Sequence, residues 1–353
     1  MARALPPSLD ARGGPHDPGP DLARERAAAV EDAAAVPIEL PGGGIVRLGT
    51  ASWTDPTMTA PGVFYPRGAE SPEERLQYYA SRFPLVEVDA TYYAIPAPRV
   101  AQAWVERTPP DFVFDAKAHA LMTGQPTETR RLPKEVRAEL PPDLAARPRL
   151  YARDLPAELR AAAWDLFLAG LAPLRAAGQL GSVLLQYPRW FFPSSESRDE
   201  ILGAHERLAG AGVASAVEFR AASWFNDRNR ERTLGFLADH RIPLVLVDGP
   251  QGLASSVPPL AAVTAPELAV VRFHGRRTDA WEARGIPTVE RFRYLYDRAE
   301  LTAWVPRIRE AARQARETHV LMNNCYANYG STNARELAAL LLEPVDDEPA
   351  AGG

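Results

Sequence analysis

The chain has a single cysteine, Cys325, among its 353 residues. One thiol excludes an intrachain disulfide, a zinc site built from thiolates and an iron–sulfur cluster held by this chain alone. No apolar run approaches the roughly 20 residues of a membrane-spanning helix, and the N-terminus lacks the apolar core of a secretory signal. We therefore predict a cytoplasmic protein that makes no membrane contact.

An excess of positive charge is also absent, as are the glycine motifs that bind phosphates. The chain carries 40 basic and 45 acidic residues, for a net charge of −5. This balance counts against broad electrostatic binding of nucleic acid. Neither a dinucleotide-binding fingerprint nor a P-loop is present, which counts against an open doubly wound sheet. Apolar residues, at 46% of the chain, are ample for one large core.

The two ends of the chain differ in composition from the middle. Residues 1–42 are rich in Pro, Gly, Ala and charge, which predicts a disordered tail, with a short helix within Leu22–Val36 as an alternative. Residues 345–353 predict a second tail. Residues 43–344 between them predict a single domain.

Eight short apolar runs cross this domain, and each is rich in Val, Leu or Phe. They are Ile45–Thr50, Leu85–Ala90, Phe112–Ala116, Ser182–Gln186, Ala214–Phe219, Pro243–Val247, Leu268–Phe273 and His319–Met322. Few charges interrupt them before their ends, which is typical of strands buried on both faces of a parallel sheet.

Helical patterns separate most of these runs. Ser71 followed by Pro72 and two glutamates predicts the start of one helix. The others are predicted at Arg99–Arg107, Pro156–Ala177, Ser197–Ala211, Arg228–His240, Val289–Arg316 and Ser331–Leu342. Alternating strands and helices predict a (β/α)8 TIM-type barrel, and residues 119–178 predict a long insertion between strands 3 and 4.

Polar residues end every apolar run. Side chains along a strand alternate between its two faces, so Glu218 shares a face with Arg220, and Arg272 shares a face with His274. Barrel enzymes build their sites where the carboxyl ends of the strands meet. We therefore predict an active site at this end of the barrel.

Four of these polar residues have side chains suited to acid–base chemistry. Glu87, Glu218, Asp248 and His274 are predicted as catalytic residues, or as ligands of a divalent metal such as Mn, Mg or Zn. The predicted substrate-binding residues are Trp53, Tyr92, Lys117, Gln186, Arg220, Trp224, Arg272, Asn323 and Asn324. Lys117 could bind a phosphate or act as a Schiff-base nucleophile. For any one charged residue, a structural ion pair is the alternative.

Several motifs in the chain resemble those of a known family. They are Leu48–Trp53, Phe64–Pro66, Tyr78–Phe83, Val86–Tyr93, Phe112–Lys117, Leu184–Pro188, Val217–Arg220 with Ser223 and Trp224, Arg272–Arg276, and Asn323 with Asn324. In this order they resemble domain-of-unknown-function family 72, also called the YecE-like family. The resemblance runs from about Val46 to Leu342. It implies a barrel of the same class and no particular reaction.

The chain departs from that family pattern in a few places. Asp89 stands where the family often has Asn, and Tyr92 where it often has Phe. The stretch Met122–Gln125 after the third strand lacks a histidine that is common there, so any role of that histidine would pass to His274 or be absent. Cys325–Asn328 after the last strand is also unusual for the family.

The leading functional hypothesis is an enzyme that acts on a small anionic substrate, a phosphorylated sugar or a nucleotide, by hydrolysis, isomerisation or lyase chemistry. A second hypothesis is nucleic-acid binding or phosphodiester cleavage, in which Arg276 and Arg277 join the aromatic residues at the barrel rim. A third is a barrel that binds a ligand without catalysis. The oligomeric state stays open.

Overall fold

Eight parallel strands form the centre of the protein, and the computed structural model describes residues 16–344. The strands are β1 (Ile45–Thr50), β2 (Leu85–Val88), β3 (Val113–Lys117), β4 (Leu180–Gln186), β5 (Ala214–Glu218), β6 (Val245–Asp248), β7 (Leu268–Phe273) and β8 (Glu317–Met322). They pair in the order β5-β4-β3-β2-β1-β8-β7-β6. A parallel bridge between Val217 and Leu244 joins the two ends of this sheet. The result is a nearly closed barrel, which confirms the predicted fold class.

Helices surround the strands. The longer ones are Pro72–Ala80, Pro98–Glu106, Ala157–Ala176, Ser195–Gly210, Arg230–Asp239, Val305–Gln314 and Tyr329–Leu342. Ser71 caps the first of them as predicted, because its hydroxyl accepts from the Glu74 amide while Glu74 accepts from the Ser71 amide. None of the helices within residues 16–344 has both the length and the apolar content needed to cross a lipid bilayer.

Each strand buries both of its faces, in two separate layers. Inward side chains fill the barrel with a small apolar cluster made of Leu85, Val113, Leu184, Ala216, Val245, Val247, Leu268, Val270 and Leu321. Outward side chains such as Val86, Phe114 and Val271 pack under the helices. Side chains alternate between the two faces of a strand. A residue two positions from an inward side chain therefore also points inward, whereas its immediate neighbour points outward.

The prediction of a disordered tail is wrong for residues 16–42. A helix at Pro20–Ala28 buries Ala23 and Ala27, and Arg26 binds both carboxylate oxygens of Glu336 at 2.7 Å. The short strand Ile38–Glu39 pairs antiparallel with β1. The composition of this segment suggested disorder because it has few large apolar residues. Its small alanines nevertheless allow the helix to pack closely against the barrel. The rest of the predicted N-terminal tail and residues 345–353 lie outside the described residues.

Two further predictions need correction. The predicted helix Val289–Arg316 is three helices, Thr288–Arg291, Arg298–Thr302 and Val305–Gln314, because Asp297 caps a new start with its side chain. The second correction concerns the insertion predicted at residues 119–178. Its helix Ala157–Ala176 is the ordinary barrel helix that connects β3 and β4. Residues 119–156 form the extra part, with two paired short strands, Thr127–Glu128 and Arg149–Leu150. Two short helices, Lys134–Ala138 and Pro142–Ala145, complete it.

Candidate functional site

Charged and polar side chains from six strands meet at the carboxyl end of the barrel. Each lies two positions beyond an inward apolar residue, or four positions in three cases, so the strand period directs it into the barrel. We call them the mouth cluster: Glu87, Lys117, Gln186, Glu218, Arg220, Arg272, His274 and Asn323. All eight were predicted as site residues, and the structure brings them together.

Glu218 lies at the centre of the mouth cluster and is fully buried. Its Oε1 accepts from Gln186 Nε2 at 2.7 Å and pairs with Arg220 Nε at 2.6 Å. Its Oε2 accepts from Arg272 Nη1. Burial opposes ionisation of Glu218, but Arg220, Arg272 and contact with His274 outweigh it and hold its pKa well below the usual range. Glu218 is therefore a charged anchor whose oxygens are both occupied.

Arg272 joins the two buried glutamates of the cluster. Its Nη2 donates to Glu87 Oε1 at 2.7 Å while its Nη1 serves Glu218. The side chain is 1% exposed, and both of its Nη atoms are occupied by glutamate oxygens. Arg272 thus positions both carboxylates, and its predicted direct contact with substrate is not supported by this arrangement.

Glu87 keeps one oxygen without a partner. Its Oε2 is buried and makes no hydrogen bond with any residue of 16–344. Burial raises the pKa of Glu87 to about 7, against the positive charges of Arg272 and Lys117, which lower it. A carboxyl group with this pKa can both give and take a proton near neutral pH.

Lys117 is the second member of the cluster with a polar atom that lacks a hydrogen-bond partner. Its Nζ lies 4.8 Å from the centre of the Tyr92 ring and makes no hydrogen bond or ion pair within residues 16–344. Burial, together with the positive charge of Arg272, lowers the pKa of Lys117 to about 8. The Tyr92 hydroxyl donates to Gln125 Oε1 at 2.8 Å, so the ring below the amine is held in place.

His274 and Arg220 form the entrance side of the cluster. The His274 Nε2 lies 3.1 Å from Arg220 Nη2, and its Nδ1 lies 2.8 Å from the Asn323 amide nitrogen. Burial and the nearby Arg220 lower the pKa of His274 to about 3, so the ring stays neutral. Arg220 stacks over Trp281 at 5.0 Å and is 16% exposed. Arg220 can therefore meet a ligand from solvent.

Five predicted site residues lie outside the mouth cluster. Tyr92 borders it, because its ring lies 4.8 Å from Lys117 Nζ, and the side chains of the other four enter the outer layer. Asp248 follows the inward Val247 and so points outward, where its oxygens accept from Arg276, the Tyr296 hydroxyl and Trp304 Nε1, each at 2.6 Å. The prediction of Asp248 as a catalytic group therefore needs correction. Its carboxylate ties β6 to the surrounding helices.

The other three are buried packing residues rather than ligand contacts. Trp224 is 0% exposed and donates to the Phe191 carbonyl at 2.7 Å. Asn324 donates to the Tyr294 carbonyl at 2.9 Å. Trp53 packs edge-on against Trp104. The alternation of strand faces separates Asn324 from its neighbour in the mouth cluster.

The predicted metal ligands do not fit a metal ion. The Arg272 guanidinium lies between Glu87 and Glu218 and binds both, Asp248 faces the helices, and both nitrogens of His274 have side-chain neighbours. Within residues 16–344, His16, Asp297 and Glu300 do bring ligand atoms within 4.8 Å of one another. That group lies away from the mouth cluster.

Two carboxylates beside the cluster were not among the predicted site residues. Burial raises the pKa of Asp55, and it raises the pKa of Asp89 as well, with Lys117 and Asp55 acting on it in opposite directions. Asp89 lies two residues beyond Glu87, a spacing that could have marked it. Asp55 follows the end of β1 by five residues in a loop, where no strand period applies.

His119 directly follows β3 and bears on the histidine missing from the expected family pattern. Its side chain is fully buried, and neither ring nitrogen has a hydrogen-bond partner within residues 16–344. Burial lowers the pKa of His119 to about 4. It is a neutral buried side chain.

The arginines behind the nucleic-acid hypothesis are already paired. Arg276 binds Asp248 and also Glu300 at 3.1 Å, and Arg277 binds Asp279 at 2.5 Å. Phosphate contacts would have to compete with these carboxylates. This pairing counts against a phosphate-binding role for the loop after β7.

The fold and the polar site together define a TIM-type barrel with a cluster of charged side chains at the carboxyl end of its strands. Residues 47–351 match the family described as Protein of unknown function DUF72. The chain therefore belongs to this family, which confirms the predicted resemblance.

Relatives of the chain include curated and structurally solved members of the same group. The UPF0759 protein YunF of Bacillus subtilis (strain 168) is 30% identical over 300 residues, covering 84% of this chain and 95% of that protein. A crystal structure of a DUF72 family protein from Thermotoga maritima MSB8 is 29% identical, with a TM-score of 0.64 over 84% of this chain and 99% of that one. A second, from Enterococcus faecalis V583, is 25% identical, with a TM-score of 0.64 over 84% and 97%.

Proposed function

We propose that the protein is an enzyme that binds a small anionic substrate in the barrel mouth and transfers protons through Glu87. The substrate class is that of phosphorylated sugars or nucleotides, and the reaction is an isomerisation or elimination. The observation that carries the proposal is the pair of unpaired groups in one buried layer. Glu87 Oε2 and Lys117 Nζ lack partners on neighbouring strands, while Glu218 and Arg272 beside them are paired.

The charges of the mouth cluster favour an anion. It holds three cations, Lys117, Arg220 and Arg272, and two carboxylates, Glu87 and Glu218. His274 is neutral, so the cluster keeps a positive excess even when both glutamates are ionised. The nearby carboxylates Asp55 and Asp89 follow β1 and β2. The anionic group therefore belongs between β3 and β5, where Lys117 and Arg220 can hold it.

Proton transfer is assigned to Glu87 because of its environment. A general acid–base works best when its pKa lies near the operating pH, and burial raises the pKa of Glu87 to about 7. Arg272 holds one of its oxygens at 2.7 Å and leaves Oε2 for the substrate. Glu218 cannot share this role, since both of its oxygens accept from cations or amides.

Calorimetry with matched ligands tests the binding part. We expect glucose 6-phosphate or adenosine 5′-monophosphate to bind, and glucose and adenosine to bind much more weakly. Arg220→Met and Lys117→Met should each lower affinity about 10-fold or more, the cost of a lost charged hydrogen bond. Lys134→Met, at an exposed position, is the matched control and should bind as the parent does.

Hydrogen exchange tests the chemical part. A bound phosphosugar that serves as substrate should take up deuterium from D2O at a carbon next to its carbonyl group, and Glu87→Gln should abolish this uptake while it still binds. Equal affinity for charged and uncharged ligands would overturn the proposed anion site. Undiminished exchange in Glu87→Gln would overturn the role of Glu87.

A further inference from the structure

We infer that Lys117 is an amine nucleophile that forms a covalent imine with a carbonyl carbon of the substrate. The substrate would then be a small anionic aldehyde or ketone. This inference rests on the anion site of the proposed function and adds a covalent step to it.

The use of lysine at this position is exceptional within the chain. Of the 40 basic residues, two are lysines, Lys117 and Lys134. Lys134 is exposed at the start of the short helix Lys134–Ala138, whereas Lys117 lies in the mouth cluster. The other cations there, Arg220 and Arg272, are arginines, which stay protonated and cannot attack a carbonyl. Charge alone would be supplied equally well by arginine.

The position of the amine suits an attack on a ligand. Lys117 Nζ lies over the Tyr92 ring, and no acceptor within residues 16–344 holds it. The Tyr92 hydroxyl binds Gln125, whose Nε2 donates to the Gln186 carbonyl at 3.0 Å. Lys117 is partly exposed, unlike the fully buried Glu218 and Arg272 beside it.

The surrounding charges allow a useful fraction of free amine. Burial is the largest influence, and Arg272 and Arg220 add positive charge that favours the neutral form, while Glu87 and Glu218 oppose them. Asp89 also faces Lys117. With the pKa of Lys117 lowered to about 8, roughly a tenth of the side chain is neutral at pH 7, against less than a thousandth for an ordinary lysine.

The chemistry can be written with the groups present. The neutral Nζ attacks the carbonyl carbon, so a C–N bond forms while the C=O π bond breaks. One proton of the new N–H2⁺ group then moves to the oxygen, which gives a neutral carbinolamine with a hydroxyl group. The protonated Oε2 of Glu87, which acts electrostatically on Lys117, is assigned to donate a proton to that hydroxyl, which leaves as water while Glu87 becomes a carboxylate. The nitrogen lone pair then forms the C=N bond of the protonated imine.

Reductive trapping tests the inference directly. The full-length protein is incubated with dihydroxyacetone phosphate, pyruvate or pyridoxal 5′-phosphate, each with sodium cyanoborohydride, which transfers a hydride to the imine carbon. We expect at least one probe to give a stable secondary amine at Lys117 and none at Lys134, as located by peptide mass spectrometry. Lys117→Arg should keep the charge and lose the adduct, and Lys134→Arg should keep the adduct.

A carbonyl-free anion separates this inference from the proposed function. Glycerol 3-phosphate should bind the parent protein and slow trapping of dihydroxyacetone phosphate. If it binds but no probe modifies Lys117, or both lysines react equally, the imine is overturned and the anion site stands. If neither glycerol 3-phosphate nor any probe binds, the anion site fails as well. Circular dichroism of Lys117→Arg shows whether a lost adduct reflects a lost fold.

Discussion

Two polar clusters lie inside the same barrel, and they differ in how their charges are paired. The mouth cluster sits at the carboxyl end. A second group, which we call the base cluster, lies nearer the amino end and consists of Arg47, Asp115, Ser182, Glu317 and His319. In the base cluster, Asp115 binds His319 Nδ1 and the Ser182 hydroxyl, both at 2.8 Å, and Glu317 binds Arg47 at 2.5 Å. Each charged group there has an opposite partner; His319 Nε2 makes no hydrogen bond within residues 16–344 but lies 3.6 Å from the Glu317 carboxylate.

The difference teaches that buried charge alone does not mark a functional site. A Cβ atom added at Gly181 would come within 2.7 Å of the Asp115 carboxylate and the His319 ring, so the base cluster has no room beside it. The mouth cluster instead leaves an oxygen of Glu87 and the amine of Lys117 without partners. Buried polar groups without partners call for an explanation, and a role in substrate binding is the one proposed for these two.

The largest effect is expected from breaking the paired part of the mouth cluster. Arg272→Met should lower the free energy of unfolding by about 3–5 kcal/mol, because Glu87 and Glu218 lose the cation that both contact. Urea unfolding followed by circular dichroism measures this. Arg272→Lys keeps the positive charge but cannot contact both glutamates in the same way. Its free energy of unfolding should therefore lie between those of the parent and of Arg272→Met. A loss below about 1 kcal/mol for Arg272→Met would show that the glutamates tolerate isolation.

The base cluster should make the free energy of unfolding depend on pH. Burial lowers the pKa of His319, but the Asp115 carboxylate outweighs it and raises the pKa to about 9. When the pKa of a histidine is higher in the folded than in the unfolded state, its protonation stabilises the folded state. This stabilisation is complete below the unfolded pKa of about 6.5 and is lost as the pH rises through about 9. The stability advantage of the parent over His319→Gln should therefore shrink by roughly 3 kcal/mol between about pH 6 and pH 10. Paired unfolding curves at the two pH values measure it, and an unchanged difference would contradict a charged His319.

Glu87 should also make the free energy of unfolding depend on pH, over a lower pH range than His319. Its pKa is raised mainly by burial to about 7, so the protonated form stabilises below the unfolded value of about 4.3, and that contribution is lost as pH rises through about 7. Glu87→Gln imitates the protonated form. Between about pH 4 and pH 8, its stability relative to the parent should improve by on the order of 1–3 kcal/mol. A constant difference in thermal unfolding across this range would mean that folding does not raise the pKa of Glu87.

The smallest effect is expected where charges are paired but exposed. Arg207 binds Asp165 at 2.8 Å on the outer helices, with the Asp165 side chain 71% exposed. Arg207→Met should change the free energy of unfolding by less than about 1 kcal/mol. Its dependence on pH should match that of the parent in the same unfolding assay. If Arg207→Met lowered the free energy of unfolding as much as Arg272→Met does, buried and exposed ion pairs would not differ in their contribution to stability.

Local patterns were enough to predict much of the barrel. The runs Ile45–Thr50 and Leu268–Phe273 are strands with the predicted bounds, because buried parallel strands need uninterrupted apolar stretches. The same pattern places Glu218 and Arg272 in the mouth. It should also have excluded Asp248, which follows an inward valine. That error came from noting that a strand ends in a charge without asking which face the charge occupies.

The sequence by itself determined the alternation of strands and helices, and with it the barrel and the inward direction of the mouth residues, because those depend on local periodicity. Only the tertiary structure decided which charges are paired. Arg272 meets Glu218 across 54 residues and Glu87 across 185 residues of sequence, and these contacts exist only because closure of the barrel brings β2, β5 and β7 around one axis. The same holds for the helix Pro20–Ala28, whose order depends on docking against Tyr329–Leu342. A local pattern specifies the direction of a side chain, whereas its partner depends on the folding of the whole chain.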